Sequence, residues 1–308
     1  MFSYRHVFHA GNHADVLKHS ILVHVLKHLT RKDAPLHMID THAGAGWYRL
    51  DSSHAQKSGE AAGGIGRFGP LESSVLSSGL YGVKPLKPAY RPSSALLADY
   101  VALIRELNPD GALVVYPGSP WIGHHLLRQQ DKLFLFETHP TDQKILAENF
   151  AGLGAGRRVT VIASDGFEGV KSKLPPISRR GLVLIDPSYE IKTDYARVGV
   201  AVAESLKRFA TGVYAVWYPI IALRESQQLP DQLRRLAAAA GRPWLNATLR
   251  VRTPFSPLSP ERGLTASGVF IINPPYTLEP ALHSVLPELA RLLEHGPGAD
   301  FSLSSADH

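Results

Sequence analysis

Short apolar segments alternate with helical patterns along most of this chain, and this alternation limits the fold more than any other feature. The apolar segments cover residues 36–39, 112–116, 133–136, 159–163, 181–185 and 213–217. A polar loop and a helical pattern follow nearly every one of them, and strands covered by helices on both faces are apolar throughout. The sequence therefore predicts an α/β fold with a mostly parallel sheet.

The first and last parts of the chain depart from this pattern. Asn12 is a good N-cap, and apolar residues recur at every fourth position from Leu17 to Leu29, which predicts an amphipathic helix over residues 13–31. Near the other end, segments 244–252 and 268–272 are joined by a loop rich in Pro, Ser and Gly, without a helix. We expect these two segments to form an antiparallel pair at the end of the sheet.

The 308 residues are interpreted as a single domain, residues 1–308, with one insertion. Residues 51–92, whose first half is rich in Gly and Ser and has no apolar period, are interpreted as an inserted subdomain. Residues 296–308 are expected to be a disordered tail.

Composition excludes several classes of protein. The chain has no Cys, which rules out disulfides, thiolate metal sites, cluster-based radical chemistry and methylation of a pyrimidine through a Cys adduct. Its 33 Lys and Arg against 27 Asp and Glu give a net charge of +6, which is compatible with a polyanionic partner. The sequence shows no signal-peptide pattern and no long apolar run, so we expect a cytoplasmic protein without a membrane segment.

Histidine is abundant, with 15 residues, and two pairs have the spacing that places ligands on one helical face. These pairs are His9 with His13 and His24 with His28. Neither is accompanied by a third ligand in a matching context, and zinc requires three or four protein ligands. We therefore expect no metal site.

The residues directly after the predicted strands form a consistent set. Ligands of a doubly wound sheet bind beyond the carboxyl ends of the strands. The first strand is followed by Ala-Gly-Ala-Gly at 43–46, where a cofactor can approach the backbone. Glu137 closes another strand and is placed to accept ribose hydroxyls, while Asp165 and Gly166 close the next and are placed to receive an adenine amine.

A further strand ends in Asp186, Pro187, Ser188 and Tyr189. This tetrapeptide resembles the Asp/Asn-Pro-Pro-Tyr/Phe motif of amino-methyltransferases. The Asp186 carboxylate and a backbone carbonyl of Pro187 or Ser188 can each accept one amine hydrogen and so aim the nitrogen lone pair. Tyr189 offers a π-face to a base that has left its stack. Ser188 replaces the second Pro, so the carbonyl is kept but one backbone restraint is lost.

Three more segments narrow the resemblance. They are Tyr-Arg-His at 4–6, Phe-His-Ala-Gly-Asn-His-Ala-Asp-Val-Leu-Lys-His at 8–19 and Asp-Thr-His-Ala-Gly-Ala-Gly at 40–46. Together with the tetrapeptide, they resemble the RlmJ family of bacterial 23S ribosomal RNA adenine-N6 methyltransferases, over nearly the whole chain.

This resemblance implies a Rossmann-like class I S-adenosylmethionine methyltransferase with a seven-stranded, mostly parallel sheet, an antiparallel last strand and a small helical insertion subdomain. It also implies a cytoplasmic monomer that methylates N6 of adenine 2030 in free 23S rRNA rather than in an assembled subunit. S-adenosylmethionine would contact His19, His42, Ser119, Glu137, Asp165, Gly166 and Asp186. Asp186 would accept the amine proton, and Tyr4, His6 and Lys18 would face the substrate, with Tyr4 as a second π-face.

A second stretch, Asn273-Pro274-Pro275-Tyr276, matches the literal motif better and also follows a predicted strand. If segment 268–272 is antiparallel to its neighbours, this stretch lies at the edge of the sheet away from the cofactor. We therefore assign the chemistry to Asp186.

Other functions remain open from the sequence alone. The motif recognises a planar amine and not a polymer, so a DNA adenine, another RNA or a protein amide could be the substrate. Ser188 leaves open a protein that binds cofactor and RNA without turnover. A nicotinamide dehydrogenase is disfavoured because Ala-Gly-Ala-Gly lacks the full dinucleotide-binding spacing.

Overall fold

The computed structural model describes residues 5–69, 90–253 and 263–306. Within these ranges, the helices are α1 (His13–Leu29), α2 (Ser53–Ser58), α3 (Glu60–Gly63), α4 (Ala95–Leu107), α5 (Ser119–Leu126), α6 (Pro140–Gly152), α7 (Gly166–Gly169), α8 (Thr193–Arg208), α9 (Arg224–Ala239) and α10 (Leu278–Leu292). The strands are β1 (His37–Asp40), β2 (Trp47–Arg49), β3 (Val115–Pro117), β4 (Lys132–Phe136), β5 (Val159–Ile162), β6 (Gly181–Ile185), β7 (Val213–Pro219), β8 (Trp244–Arg250), β9 (Ala266–Ile272) and β10 (Asp300–Ser305). Across the same ranges, we find no helix whose length and hydropathy would let it cross a membrane.

The main sheet has the strand order β10-β8-β9-β7-β6-β1-β4-β5. Strands β5, β4, β1, β6 and β7 are parallel to one another, whereas β9 is antiparallel to both β7 and β8. The predicted α/β class, the mostly parallel sheet and the terminal antiparallel pair are confirmed. The chain reverses strand order at β1, so the carboxyl ends of β1, β4 and β6 border one crevice.

The sheet has eight strands rather than the seven expected, because residues Asp300–Ser305, within the segment expected to be a disordered tail, form a strand. Strand β10 pairs antiparallel with β8 from Asp300, opposite Arg250, to Ser305, opposite Leu245. Without this strand, the outer edge of β8 would present unpaired backbone groups. Leu303 also packs against the core, so the added strand covers this edge.

Segment 112–116 also differs from the prediction, since it contributes no strand to the main sheet. Val115–Pro117 instead pairs antiparallel with Trp47–Arg49 in a separate two-stranded sheet. The side chain of Asn108 binds the backbone at the start of β3. Its amide donates to the carbonyl of Val115, and its oxygen accepts from the amides of Val114 and Val115. The pair directs the chain into α5, whose first residue lies in the crevice.

The predicted insertion, residues 51–92, begins with α2, α3 and a 3-10 turn at Ile65–Phe68. Residues 70–89 lie outside the described residues, so its extent as a subdomain stays a prediction. The part of α3 nearest the core is fixed by Glu60, whose carboxylate accepts from the side chain of Asn12 and contacts His9.

Helix α1 is more deeply buried than an amphipathic surface helix, since 13 of its 17 residues are buried. Leu17 and Leu26 pack in the core on one face of the sheet together with residues of α4, α5 and α10, while α8 and α9 cover the other face. The buried set on α1 includes Asp15, Lys18 and His19. Charged side chains are rarely buried without partners, so the partners of these three residues indicate the function of this helix.

Candidate active site

A cleft of about 370 Å³ opens at the carboxyl ends of β1, β4, β5 and β6. Its wall contains the following predicted site residues: His6, Lys18, His19, His42, Ser119, Glu137, Asp165, Gly166, Asp186, Pro187 and Ser188. Tyr4 lies outside the described residues. Side chains from segments far apart in the chain therefore converge on one crevice.

Glu137 holds the glycine loop in place at the end of β4. Its two carboxylate oxygens accept backbone amides, from Gly44 at 2.7 Å and from His139 at 2.6 Å. Gly44 has a φ of +62°, and a Cβ at this position would lie 2.2 Å from the Tyr48 hydroxyl, so only Gly fits. Burial raises the pKa of the Glu137 carboxyl, although the backbone hydrogen bonds oppose this shift. Each carboxylate oxygen keeps a lone pair for a ligand hydroxyl.

Asp165 begins α7 and caps it through the amide of Phe167, at 2.9 Å. Burial alone would raise the pKa of this carboxyl, but its hydrogen bond and ion pair with Arg197 lower it. The Arg197 guanidinium also lies 4.4 Å from the centre of the Phe167 ring. Arg197 was missed by the sequence analysis, because an Arg on an amphipathic helix carries no signal of its own.

Asp40 is a second residue that the sequence analysis left without a role, although it is the last residue of β1 and precedes the glycine loop. Its carboxylate is fully buried and accepts from the Ser119 hydroxyl at 2.6 Å and from the His42 amide at 3.2 Å. Burial raises the pKa of Asp40 to about 7, against the effect of these hydrogen bonds. Its position before the glycine loop was the available signal.

We expect Asp40 to make the stability of the protein depend on pH. Because the folded pKa of Asp40 is raised to about 7 from 3.8, the folded state keeps a proton that the unfolded chain loses. The resulting stabilisation is complete below about pH 4 and is lost as pH rises through about 7, at up to about 1.4 kcal/mol per pH unit. Urea unfolding at several pH values should show a flatter dependence for Asp40→Asn. Equal slopes in the two proteins would contradict this prediction.

Asp186 is paired rather than free. Lys18 Nζ lies 2.6 Å from Asp186 Oδ2 and 2.8 Å from Asp15 Oδ1, so a buried ammonium bridges two carboxylates. Burial would lower the pKa of Lys18, but the two carboxylates outweigh burial and raise it. Lys18 therefore stays charged across the physiological range, and its ammonium lies directly against the Asp186 carboxylate.

Arg5 and His6, the first two described residues, each contact a carboxylate near the cleft. His6 Nε2 lies 2.9 Å from Asp15 Oδ2, and the Arg5 guanidinium lies 3.0 Å from Asp142 Oδ1 on α6. Lys18 and His6 therefore both contact the same buried carboxylate, that of Asp15.

The two histidines assigned to the cofactor are held as neutral rings. His19 Nδ1 lies 2.9 Å from the Tyr116 hydroxyl, and within the described residues its Nε2 has no hydrogen-bond partner. His42 Nδ1 lies 2.8 Å from Thr41 Oγ1. Burial lowers the pKa of His19 well below its usual value and that of His42 to about 4. Both rings therefore offer hydrogen-bonding groups without charge.

Tyr189 does not offer its ring to the cleft, which differs from the sequence prediction. It is 7% exposed, has a φ of +54° and donates its hydroxyl to the carbonyl of Trp217 at 2.7 Å. Its ring packs at 4.6 Å from that of Tyr195. The left-handed backbone turns this side chain into the core. The apolar side chain that lines the cleft after the tetrapeptide is instead Ile191, which is 63% exposed.

Asn273 lies at the opposite edge of the sheet from Asp186, as its topology predicts. Strand β9 ends with Ile272 opposite Tyr214, near the start of β7, whereas Asp186 follows the carboxyl end of β6. The Asn273 side chain donates to the carbonyls of Ala210 and Gly212, at 2.8 and 2.6 Å. Asn273 therefore has a structural role, because it binds the turn between α8 and β7.

We expect Asn273→Ala to reduce stability and leave chemistry intact. The variant loses two hydrogen bonds and places Ala at a φ of +56°, which together cost about 2 kcal/mol. Urea unfolding should show this loss, and Asn273→Gly, which tolerates the backbone angle, should lose less. A folded Asn273→Ala protein without methyl transfer would contradict the assignment to Asp186.

The histidines of the two pairs make hydrogen bonds within the protein. His24 and His28 both contact the hydroxyl of Thr277, at 3.0 Å each, and His13 Nε2 lies 2.9 Å from the carbonyl of Leu264. Across residues 5–69, 90–253 and 263–306, no cluster of three or more His, Asp or Glu could hold a metal ion.

Similar proteins share this architecture. A family model described as "RsmJ: Ribosomal RNA large subunit methyltransferase D, RlmJ" matches residues 33–73 and 82–301. A relative from Escherichia coli (strain K12), named "Ribosomal RNA large subunit methyltransferase J", is 42% identical over 299 residues, which are 97% of this chain and 96% of the relative. A relative of the same name from Haemophilus influenzae is 44% identical over 301 residues, 97% of each chain. The crystal structure of a Legionella pneumophila protein superimposes with a TM-score of 0.78 at 32% identity, covering 96% of this chain and 98% of that one.

Proposed function

Because this chain belongs to the RlmJ family of ribosomal RNA large subunit methyltransferases, we propose that it transfers a methyl group from S-adenosylmethionine to N6 of an adenine in 23S rRNA. The specific target proposed is the adenine that the family resemblance implies, adenine 2030, in free RNA. The observation that carries the proposal is the Asp186 carboxylate, which lies in the same cleft as the glycine loop and two strand-end acids.

The residues of the cleft fit S-adenosylmethionine. Glu137 keeps acceptor capacity for the ribose hydroxyls, and Asp165 with Gly166 lies at the end of the neighbouring strand, where an adenine amine can be received. His19 lines this cleft, and its buried Nε2 has no hydrogen-bond partner within the described residues. Gly44 and Gly166 also line this cleft, so their backbone atoms are within reach of a ligand. When bound, the cofactor supplies an electrophilic methyl group on a sulfonium.

Asp186 orients the attacking amine in this proposal. Its Oδ2 is engaged by Lys18, so Oδ1 is the oxygen that accepts one amine hydrogen. A carbonyl of Pro187 or Ser188, both in the cleft wall, accepts the other. Two acceptors draw the nitrogen lone pair out of the ring plane, and the Asp186 carboxylate takes the amine proton as the methyl group is transferred.

The target base must leave its stack to reach this cleft. Tyr189 packs in the core, so the exposed side chain of Ile191 is the apolar surface beside Asp186 that a base can contact. The net charge of +6 supports an RNA partner, since phosphate contacts dominate affinity for nucleic acids.

The test is transfer of labelled methyl from S-adenosylmethionine to unmodified 23S rRNA, followed by nucleoside mass spectrometry. We expect N6-methyladenosine, with free RNA a better substrate than assembled subunits. If the protein methylates DNA or another RNA but not 23S rRNA, the proposed substrate is wrong. Cofactor binding without transfer to any polymer would favour a protein that binds without turnover.

A further inference from the structure

Asp15 is a buried carboxylate beside the cleft, and it contacts three other groups. It is 2% exposed. Its Oδ1 lies 2.8 Å from Lys18 Nζ, and its Oδ2 lies 2.9 Å from His6 Nε2 and accepts the amide of Gly11 at 2.9 Å. His19 Nε2 lies further away, at 3.9 Å from Oδ1. The carboxylate of Asp15 thus joins His6 and Lys18, two of the three residues expected to face the substrate.

Capping of α1 explains only part of this arrangement. Asn12, the N-cap residue, accepts the amide of Asp15 at 3.0 Å, and Asp15 accepts the amide of Gly11, the residue before the N-cap. A cap requires one acceptor oxygen and can lie at the surface of the protein. The second oxygen, which contacts Lys18, is not needed for the cap, and burying a carboxylate with an ammonium is costly unless both are well paired.

The geometry extends from Asp15 to the reacting site. Lys18 has three ammonium hydrogens, of which one is directed to Asp15 and another to Asp186. Burial would raise the pKa of Asp15, but His6 and Lys18 lower it well below its usual value, so the carboxylate stays ionised. With Asp186 as its sole partner, Lys18 could rotate about its side-chain bonds, whereas Asp15, which is itself held by His6 and Gly11, determines the position of the Lys18 nitrogen.

We infer that Asp15 is a positioning residue for methyl transfer: it fixes the Lys18 ammonium against Asp186 and holds His6 at the cleft. This inference rests on the proposed function, because Asp186 must orient the substrate amine. Asp15 acts through Lys18 and His6 and does not itself touch the substrate.

The discriminating variant is Asp15→Asn, which has nearly the same shape. Its amide oxygen can still accept the Gly11 amide and preserve the cap, but its NH2 group cannot accept a hydrogen from Lys18. We expect kcat on 23S rRNA to fall about 100-fold, as for a misplaced catalytic group, while the Kd for S-adenosylmethionine changes by less than about threefold. A kcat close to that of the unmodified protein would overturn the inference.

A matched control is Asp131→Asn. Asp131 is also a buried carboxylate and accepts the amide of Leu36 at 2.7 Å and the Arg128 guanidinium, but it precedes β4 at the edge opposite the cleft. Its substitution should lower stability and leave kcat within about threefold of the unmodified protein. An equal fall of kcat in both variants would assign Asp15 a structural role only.

A double-mutant cycle tests whether Asp15 acts through Lys18. The kcat of the variant with both Asp15→Asn and Lys18→Gln should lie within about threefold of the kcat of Lys18→Gln alone. Either substitution already removes the contact between Asp15 and Lys18, so the second adds little. Fully multiplicative losses would overturn the inference.

A spectroscopic measurement covers the case in which Asp15→Asn does not fold. In Asp186→Ala, Asp15 alone should hold Lys18, so the ¹⁵N signal of its ammonium should remain protected from exchange and disappear in Lys18→Gln. Loss of protection in Asp186→Ala would overturn the inference. This readout needs no turnover, so it tests the inference independently of the proposed function. Failure of the proposed function would instead appear as an unmodified protein without methyl transfer.

Discussion

Asp186→Ala should abolish methyl transfer without removing the cofactor site. The substitution deletes the acceptor for the amine hydrogen and the proton, and general-base groups contribute about 100-fold to 10,000-fold to rates. Glu137 accepts the amides of Gly44 and His139, and Asp165 accepts the amide of Phe167, so these hydrogen bonds do not involve Asp186. We therefore expect kcat to fall by about 1,000-fold and the Kd for S-adenosylmethionine to change by only a few-fold.

Single-turnover methylation and calorimetric titration of the cofactor would measure these two quantities. Glu137→Ala is the matched variant, because it also removes a carboxylate from this cleft. The Glu137 carboxylate holds the glycine loop, whereas that of Asp186 is proposed to hold the substrate. It should mainly weaken cofactor binding. If both variants lose cofactor binding to the same extent, the division of roles between Asp186 and Glu137 is wrong.

Gly166→Ala should have the second-largest effect, on both cofactor binding and folding. A Cβ at Gly166 would lie 2.0 Å from the carbonyl oxygen of Thr41 and 2.6 Å from its carbonyl carbon and Cα. Thr41 has little freedom to move, because its amide and its hydroxyl both donate to the carbonyl of Leu184 at 3.1 Å. The loops after β1 and β5 would therefore be forced apart.

Overpacking of this kind costs about 1–3 kcal/mol or more, and here backbone atoms must shift rather than a flexible side chain. Urea unfolding should show a loss of about 3 kcal/mol, and cofactor affinity should fall more than about tenfold.

The control for this prediction is Gly152→Ala at the end of α6, where an added Cβ meets no atom within 4 Å. This variant should be neutral or gain up to about 1 kcal/mol, since Ala is favoured over Gly in a helix. Normal stability and cofactor binding in Gly166→Ala would show that the two loops do not need their close approach.

The parts of the site that could be predicted from sequence are those that depend on position along a strand. A continuous apolar run identifies a buried strand, and the polar residue that ends it lies at the edge where ligands bind. Glu137, Asp165 and Asp186 follow this rule, and all three line the cleft. The same reasoning placed Asn273 at the other edge, because strand direction alone decides the edge.

Errors arose where a local pattern had more than one structural outcome. Segment 112–116 has a strand composition, but its partner is β2 rather than the main sheet. The last residues carry few apolar side chains, yet they form β10 because β8 provides an open edge. Tyr189 is part of the motif, but the left-handed backbone at this residue buries its ring.

By itself, the sequence determined the α/β class, the identity of the strand-end acids and the family to which the chain belongs, because these depend on periodicity and on contiguous motifs. Only the tertiary structure decided which charges meet. Asp186 lies 168 positions from Lys18, Asp40 lies 79 from Ser119, and Arg197 lies 32 from Asp165. Such pairs form when β1, β6, α1 and α8 pack together, and burial then strengthens charge interactions that no linear pattern records.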